Sequence, residues 1–286
     1  MNHTSLTYRI FNVINAMFFI VVAISMTFPM INILCLSLEP NQIAIETGVI
    51  HLIPRAITLK AYAEIFKNGL ITSAFMNSVF ITVLGAVGGV VFTGMLAYGL
   101  SNEKVPGNKI ISYLVLFTMM FNGGIIPSYM LVRNLGLINS LWSLIVPTLM
   151  TAYNVILMKA FFKNLPPSLA ESAMVDGASE ATTFFKIILP ISMPIVATIT
   201  LFYAVAKWNE FFTAVMYITS ANKKPLQVIL REILISAGNS DSATNLDIGM
   251  NVKMATAVAA IVPILCVYPF LQKYFTKGIL LGAVKG

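Results

Sequence analysis

The amino-acid sequence predicts an all-α membrane protein that crosses the bilayer with six helices. Hydrophobic residues make up 58% of the 286 positions and charged residues only 10%, whereas soluble domains average about 25% charged. The mean hydropathy is +0.85, far above the range of soluble domains. A helix needs roughly 20 apolar residues to cross the hydrocarbon layer. Six segments meet that requirement: 12–37, 71–100, 110–132, 140–162, 192–219 and 252–275.

Helices are expected for all six segments because lipid cannot satisfy bare backbone polar groups. The connections 38–70 and 220–251 are longer and mixed in charge, 101–109 and 133–139 are tight turns, and 163–191 is a polar loop. An even number of spans places both termini on one side, together with this polar loop. The net charge of +7 is assigned to basic residues that flank the spans, not to nucleic-acid binding.

The cysteines and histidines do not form a recognisable site in the sequence. Cys35 and Cys266 both lie in apolar runs, and His3 and His51 are isolated, so neither a disulfide framework nor a metal site is predicted. The bulky Leu34 before Cys35 argues against a lipid-attachment site. The first apolar run is too long for a cleavable signal peptide and is interpreted as a retained span.

Two places in the sequence predict bent helices. Gly123 and Gly124, followed by Pro127, should break or distort the third span, because glycine lowers helix propensity and proline removes a backbone hydrogen bond. Pro190 and Pro194 stand where the polar loop becomes the fifth span. They indicate either a kink that transmits motion of the loop or a simple span boundary.

The polar loop carries the most informative pattern of the chain. Seven positions at fixed offsets are similar to the EAA loop of bacterial ABC importer permeases, and Ser172 replaces the middle alanine of that pattern: Glu171, Ala173, Asp176, Gly177, Ile187, Leu189 and Pro190. This resemblance implies a type I ABC importer permease fold, in which the loop docks onto a separate ATP-hydrolysing subunit. The seven residues are then the expected ATPase-coupling residues.

Local chemistry suggests a role for several residues of the loop. Ala173 belongs to a small-residue face that would allow a helix to seat deeply in a partner. The carboxylate of Glu171 would pair with a cation of the ATPase, and Gly177 suits a turn that needs either positive φ or a close backbone approach. We expect Asp176 to cap the helix that follows it. Phe184 and Ile187 are expected to anchor that second helix against the bundle.

The fifth span contains ionisable and aromatic residues, which are expensive inside a membrane and favour the bundle interior. Lys207 and Glu210 are three residues apart and predict a mutually neutralised pair on one helix face. The alternative is that Trp208, Asn209 and Glu210 line a transport path, since an aromatic face suits a sugar ring and the polar groups suit its hydroxyls. The Trp-Asn-Glu-Phe string also resembles a recurring feature of carbohydrate-importer permeases.

No catalytic residues are predicted. The sequence lacks the G-x-x-x-x-G-K-[ST] phosphate loop, so the chain itself is not expected to hydrolyse ATP. It is therefore interpreted as a transport subunit and not an enzyme, with no cofactor or metal of its own. The family resemblance places ATP and magnesium on partner ATPase subunits.

The C-terminal residues 272–286 resemble the closing signature of the maltose-type second permease subunit. The Gly123-Gly124-x-x-Pro127 string and the turn at 134–137 are more similar to the branch that serves complex oligosaccharides and polysaccharide fragments. The resemblance divides the chain into an N-terminal segment with the first span (1–70), a type-1 transmembrane domain (71–276) and a cytoplasmic tail (277–286).

These observations together predict a permease subunit that imports oligosaccharides across the bacterial plasma membrane, and the family resemblance implies that both termini are cytoplasmic. The resemblance implies a second homologous permease, two ATPase subunits and an extracellular sugar-binding protein as partners. Two alternatives stay open. One is the same scaffold importing another solute, such as an amino acid or phosphate. The other is a secondary transporter driven by an ion gradient.

Overall fold

The computed structural model describes residues 6–46, 50–67, 69–236 and 249–283, and within these ranges every regular element is helical. Short 3₁₀ turns at Leu141–Leu144, Val146–Thr148 and Ala221–Lys223 and a π-helical stretch at Phe184–Ile188 join the α-helices. In chain order, the α-helices are α1 (Leu6–Leu38), α2 (Asn41–Ala44), α3 (Lys60–Lys67), α4 (Gly69–Ser101), α5 (Asn108–Met120), α6 (Ile125–Asn134), α7 (Ala152–Lys163), α8 (Ser168–Val175), α9 (Glu180–Thr183), α10 (Leu189–Ile191), α11 (Met193–Trp208), α12 (Phe212–Tyr217), α13 (Leu226–Ser236) and α14 (Met250–Ala283).

Among the residues that the structure describes, two helices are long and apolar enough to cross a membrane unbroken, Tyr8–Leu38 and Gly69–Ser101. Three further candidates are pairs of helical pieces joined at a sharp bend. The bends are 117° between α5 and α6, 47° between Leu141–Thr148 and α7, and 87° between Glu180–Ile191 and α11. Helices therefore lie in each of the predicted spans, but 110–132, 140–162 and 192–219 are each interrupted.

The break predicted at the two glycines of the third span is confirmed. Helix α5 ends at Met120, Gly124 has a φ of 89°, and α6 begins at Ile125. A bend of 117° turns the chain through more than a right angle, so the predicted span 110–132 consists of two separate helices. The amide N of Gly124 donates to Asn122 Oδ1 (2.9 Å), which satisfies a backbone donor exposed by the break.

The predicted fifth span, 192–219, is also divided. Helix α11 ends at Trp208, and the backbone leaves the helical region at Phe211 (φ −127°, ψ −55°) before α12 begins. Asn209 and Glu210 occupy this interruption. Their side chains bond locally within the same stretch, which suits the end of a helix better than its interior.

The described residues group into two compact units, one within 1–69 and 230–261 and the other within 70–229 and 262–286. In the first unit, buried Glu39 follows the end of α1, and its Oε2 lies 2.6 Å from Nδ1 of buried His51. The other carboxylate oxygen accepts from the amide N of Arg55 (2.8 Å). These contacts tie the segment after α1 back to the helix end.

Two apolar clusters lie among the described residues of the second unit. One packs α4, α7 and α11 together around Ala97, Met158 and Ile199, none of which is exposed. The other surrounds Ile81 and joins α4 to the turns near Leu144 and to α12 through Ala214. Small residues on α4 allow this close packing, which is the usual way that helices associate in membranes.

Candidate coupling loop and transport-path residues

The predicted coupling loop forms two short helices with a tight reversal between them. Lys163 ends α7, Pro167 precedes α8, and α9 runs directly into the π-helical stretch and α10. Proline suits the start of α8, because an N–H group at this position would have no hydrogen-bond partner within the helix. The loop thus presents α8 as a separate helix beside the bundle.

The end of α8 explains the glycine of the pattern. Gly177 has a φ of 76°, and a Cβ added to it would meet nothing within 4 Å, so backbone conformation and not crowding favours glycine. The amide of Gly177 bonds to Met174 O (3.0 Å) and that of Ala178 bonds to Ala173 O (2.9 Å). These two bonds form a Schellman motif, which closes the helix. The positive φ predicted for Gly177 is confirmed.

The cap predicted for Asp176 is wrong. Asp176 is the C-cap of α8, and Ser179 is the N-cap of α9, where its Oγ accepts from the amide of Thr182 (3.2 Å). Asp176 is three residues too early, because the Schellman reversal intervenes before the next helix starts. Ser179 immediately before Glu180 was a readable start signal in the sequence.

The residues of the pattern divide between exposed and interior positions. Glu171, Asp176, Gly177 and Pro190 are exposed. The Ala173 side chain, by contrast, is buried within the chain itself, Ile187 is half-buried, and Leu189 packs against the cluster of α4, α7 and α11. The exposed surface of α8 is therefore built from the neighbours of Ala173.

Aromatic packing fixes the second half of the loop to the bundle. The buried Phe184 ring lies 5.3 Å from Tyr98 on α4 and 6.4 Å, edge to face, from Phe162 on α7 (centroid distances). A Cβ on Gly94 would lie 3.1 Å from Phe184, so glycine makes room for the ring. The anchor predicted for Phe184 is confirmed, but Ile188 is the buried partner and not Ile187.

One further contact of the loop was not predicted. The hydroxyl of Tyr98 donates to Oε2 of Glu180, at 3.3 Å. Tyr98 thus touches both the ring and the carboxylate of the loop, and it connects α9 to the end of α4. A tyrosine within an apolar span gives no sequence signal for so distant a partner.

The three predicted path residues lie at the other end of α11, which is about 24 Å long. Trp208 is buried and its ring meets Phe75 edge to face at 5.8 Å. Asn209 is exposed and donates to Val205 O (3.0 Å), while Oε1 of Glu210 accepts from Thr213 (2.6 Å). The structure therefore separates the path residues from the coupling loop.

The predicted pairing of Lys207 with Glu210 is not formed. The buried Lys207 ammonium donates instead to the carbonyl of Leu144 and to the hydroxyl of Thr148, while Glu210 is engaged by Thr213. A Cβ on Gly85 would lie 3.0 Å from the Lys207 stem, so α4 leaves space for it. The ammonium therefore bonds to one carbonyl and one hydroxyl of the turns before α7, and not to its sequence neighbour.

A family model described as the binding-protein-dependent transport system inner membrane component matches residues 89–280. The chain belongs to this family. The match includes the coupling loop, the Lys207 contacts and the three path residues, so both ends of α11 lie within the shared transmembrane component. As an inner-membrane component, the protein is an integral membrane transport subunit of an ABC importer and not an enzyme.

Three proteins similar to this chain over nearly its full length are bacterial, and two of them have names that describe permeases. The polygalacturonan/rhamnogalacturonan transport system permease YtcP of Bacillus subtilis is 42% identical, over 97% of this chain and 99% of its own length. LplC of the same organism is 40% identical, over 99% and 98%. The arabinooligosaccharide permease AraQ of Halalkalibacterium halodurans is 30% identical, over 94% of each chain.

A solved structure supports the same fold. A chain in the crystal structure of a bacterial ABC transporter involved in importing the acidic polysaccharide alginate matches with a TM-score of 0.88 and 31% identity. The match covers 96% of this protein and 100% of that chain. The family resemblance stated from the sequence is thus confirmed along nearly the full length of the chain.

Proposed function

We propose that the protein is one of two permease subunits of an importer that moves oligosaccharides across the bacterial plasma membrane. The observation that carries this proposal is the full-length similarity to a permease named for polygalacturonan and rhamnogalacturonan. The similarity to a chain of an alginate importer supports the same substrate class. A second permease, two ATPase subunits and an extracellular sugar-binding protein complete the assembly, and ATP with magnesium is held by the ATPases.

The chain crosses the bilayer six times in this proposal, with both termini in the cytoplasm. Helices α1 and α4 are unbroken spans, the bent segments 108–134 and 141–163 supply two more, α11 with α12 supplies the fifth, and α14 supplies the sixth. The segment 1–70 contributes the first span, 71–276 the transmembrane domain and 277–286 the tail. Residues 277–283 continue α14, and 284–286 lie outside the described residues.

Coupling begins at the exposed surface of α8. Glu171, Asp176 and Gly177 form the face that meets the ATPase, and the buried Ala173 holds α8 close against its own chain. Closure of the ATPase dimer upon ATP binding moves α8. A ligand that binds one conformation better shifts the population toward that conformation.

The movement reaches the transport path through α11. Ile187, Leu189 and Pro190 lead into the 87° bend, where Ser192 separates α10 from α11. Phe184 and Ile188 are packed against the helices of the bundle. The second half of the loop and the bend therefore move together with α11. The far end of α11 carries Trp208, Asn209 and Glu210, and the exposed amide of Asn209 is the group best placed to meet a sugar hydroxyl.

Two substitutions in the loop test this proposal. Glu171→Lys with Gly177→Asp should reduce sugar uptake to background while membrane insertion and subunit assembly are retained. The matched control is Glu64→Lys with Gly107→Asp, which reverses an exposed charge and strains a glycine of similar φ (80°) outside the loop. Unimpaired uptake in the loop variant, or equal loss in the control, would contradict the coupling assignment.

The substrate class is tested on the purified assembly in lipid nanodiscs. Binding protein loaded with a galacturonate or arabinose oligosaccharide should raise ATP hydrolysis above the rate with the unloaded protein. Stimulation only by an amino acid or by phosphate would assign the scaffold to another solute. Uptake that persists without any ATPase and follows an ion gradient would overturn the importer assignment altogether.

A further inference from the structure

An apolar cavity of about 210 Å³ lies between the end of α4, helix α5 and helix α7. Its walls are formed by apolar side chains that include Leu100, Val115, Val155 and Ile156. All of these residues belong to the same compact unit. Neighbouring residues on α5 that carry large apolar groups, such as Leu114, are exposed, so the cavity opens beside an apolar surface.

Two lysines lie at one end of this cavity, one helical turn apart on α7. The Lys159 ammonium donates to Ser112 Oγ at 2.6 Å, and the Lys163 ammonium lies 2.5 Å from Glu103 Oε1. Lys159, Lys163 and Ser112 all line the cavity. The hydroxyl of Ser112 keeps the Lys159 ammonium at the cavity wall without neutralising it.

Positive charge exceeds negative charge around this end of the cavity. Lys163 lowers the pKa of the Glu103 carboxyl through a hydrogen bond and its charge, and the charges of Lys109 and Lys159 lower that pKa further. Three cations thus act on the carboxylate of Glu103, which is largely exposed to solvent. Glu103 balances one of these charges and leaves an excess at Lys159 and Lys109.

We propose that this cavity binds an anionic phospholipid, with an acyl chain between α5 and α7 and the phosphate at Lys159, Lys163 and Ser112. Apolar walls beneath a cationic rim match an anionic lipid. A free phosphate would make no contact with the apolar walls, and a lipid without net negative charge would gain little from the lysines. Basic pockets between membrane helices on the cytoplasmic side are suited to acidic headgroups. The assignment rests on the proposed function only for placing this end of α7 at the cytoplasmic face.

The position of the bound lipid gives it a structural role. Lys163 is the last residue of α7, and α8 of the coupling loop begins after a short turn at Ser168. A phospholipid between α5 and α7 would brace the helix from which the loop emerges. Only a few residues of the chain thus separate the bound lipid from the coupling loop.

The test uses the assembled importer in nanodiscs that contain phosphatidylglycerol and phosphatidylcholine. Native mass spectrometry counts the lipids retained by the complex. Lys159→Gln with Lys163→Gln should weaken phosphatidylglycerol retention about thirtyfold, since each cation near the surface contributes roughly fivefold to anionic-lipid attraction. The control Lys60→Gln with Lys67→Gln removes the same charge from the exposed face of α3 and should retain lipid as the wild type does.

A second variant tests the apolar part of the cavity. Ala160, which lines the cavity, is replaced by phenylalanine to fill it while both lysines stay in place. Retention of phosphatidylglycerol should fall in this variant too. The proposal would be overturned by wild-type retention in both variants or by an equal loss in the α3 control. It would also be overturned if phosphatidylcholine were retained equally well, or if millimolar inorganic phosphate displaced the lipid. Lipid retention is measured without transport, so failure of the proposed sugar import would be seen separately.

Discussion

Helices α1 and α4 are almost equally long and apolar, yet they are packed very differently. In their most apolar windows, 11% of the residues are buried in α1 and 39% in α4. The residues that α1 buries lie at its end, at Cys35, Leu36 and Ser37. Helix α4 is buried along one stripe, at which small residues recur: Gly85, Ala86, Gly89, Gly94 and Ala97.

This difference shows that hydropathy and packing are separate signals in a membrane protein. Lipid tails are as apolar as leucine, so apolar content alone gives a helix no reason to face another helix. Gly85, Gly89 and Gly94 on α4 leave room for the Lys207 stem, the Tyr203 ring and the Phe184 ring. The nearest atoms of these side chains would lie only 2.9–3.1 Å from an added Cβ. Helix α1 has large side chains over most of its length and remains exposed.

The largest expected effect comes from adding one methyl group to the packed stripe. A Cβ on Gly89 would lie 2.9 Å from the buried Tyr203 ring, whose hydroxyl is also bonded to Thr93 (2.6 Å). Gly89→Ala should therefore destabilise the subunit by about 1–3 kcal/mol through overpacking. The measurement is the midpoint of thermal unfolding of the purified importer.

Gly99 provides a matched control on the same helix, because nothing lies within 4 Å of its added Cβ. Gly99→Ala should stabilise the helix by up to about 1 kcal/mol, since alanine has the higher helix propensity. The two substitutions thus have opposite expected signs. Equal effects would show that the stripe on α4 is not what distinguishes it.

A smaller loss of stability is expected from replacing Lys207, the buried lysine that packs against α4. Lys207→Met keeps an unbranched stem beside Gly85 but leaves the Leu144 carbonyl and the Thr148 hydroxyl without their ammonium donor. Losing a partner of buried polar groups costs about 1–3 kcal/mol, partly offset here because a buried charge is removed. Thermal unfolding of Lys207→Met against Thr148→Val, which removes only one acceptor, separates the two contacts. Stability equal to that of the wild type in Lys207→Met would contradict the role of these hydrogen bonds.

The smallest effect is expected on α1. The side chains of Val21 and Ile24 are 64% and 63% exposed, so Val21→Ala and Ile24→Ala should each change stability by less than about 0.5 kcal/mol. Their unfolding midpoints should coincide with that of the wild type. A loss comparable to that of Gly89→Ala would mean that another subunit covers this face of α1 in the assembly.

The sequence predicts the helical class and the break at Gly123-Gly124 because composition and backbone chemistry are local properties. The end of α8 at Gly177 follows from the same local rules. Contacts set by tertiary packing were less accessible. Lys207 turns to a carbonyl 63 positions away instead of to Glu210, and Ile188 is buried in place of Ile187 because a π-helical stretch shifts the register of the faces.

The sharp bend between α5 and α6 has a consequence for how the protein is made. The 13 residues of α5 extend about 20 Å and the 10 residues of α6 about 15 Å, each less than the roughly 30 Å of the hydrocarbon core. Neither half satisfies the length requirement for integrating into the bilayer alone as it leaves the ribosome. Correct insertion of this region must therefore await the neighbouring helices, and a truncation that ends between them should leave the third segment outside the membrane.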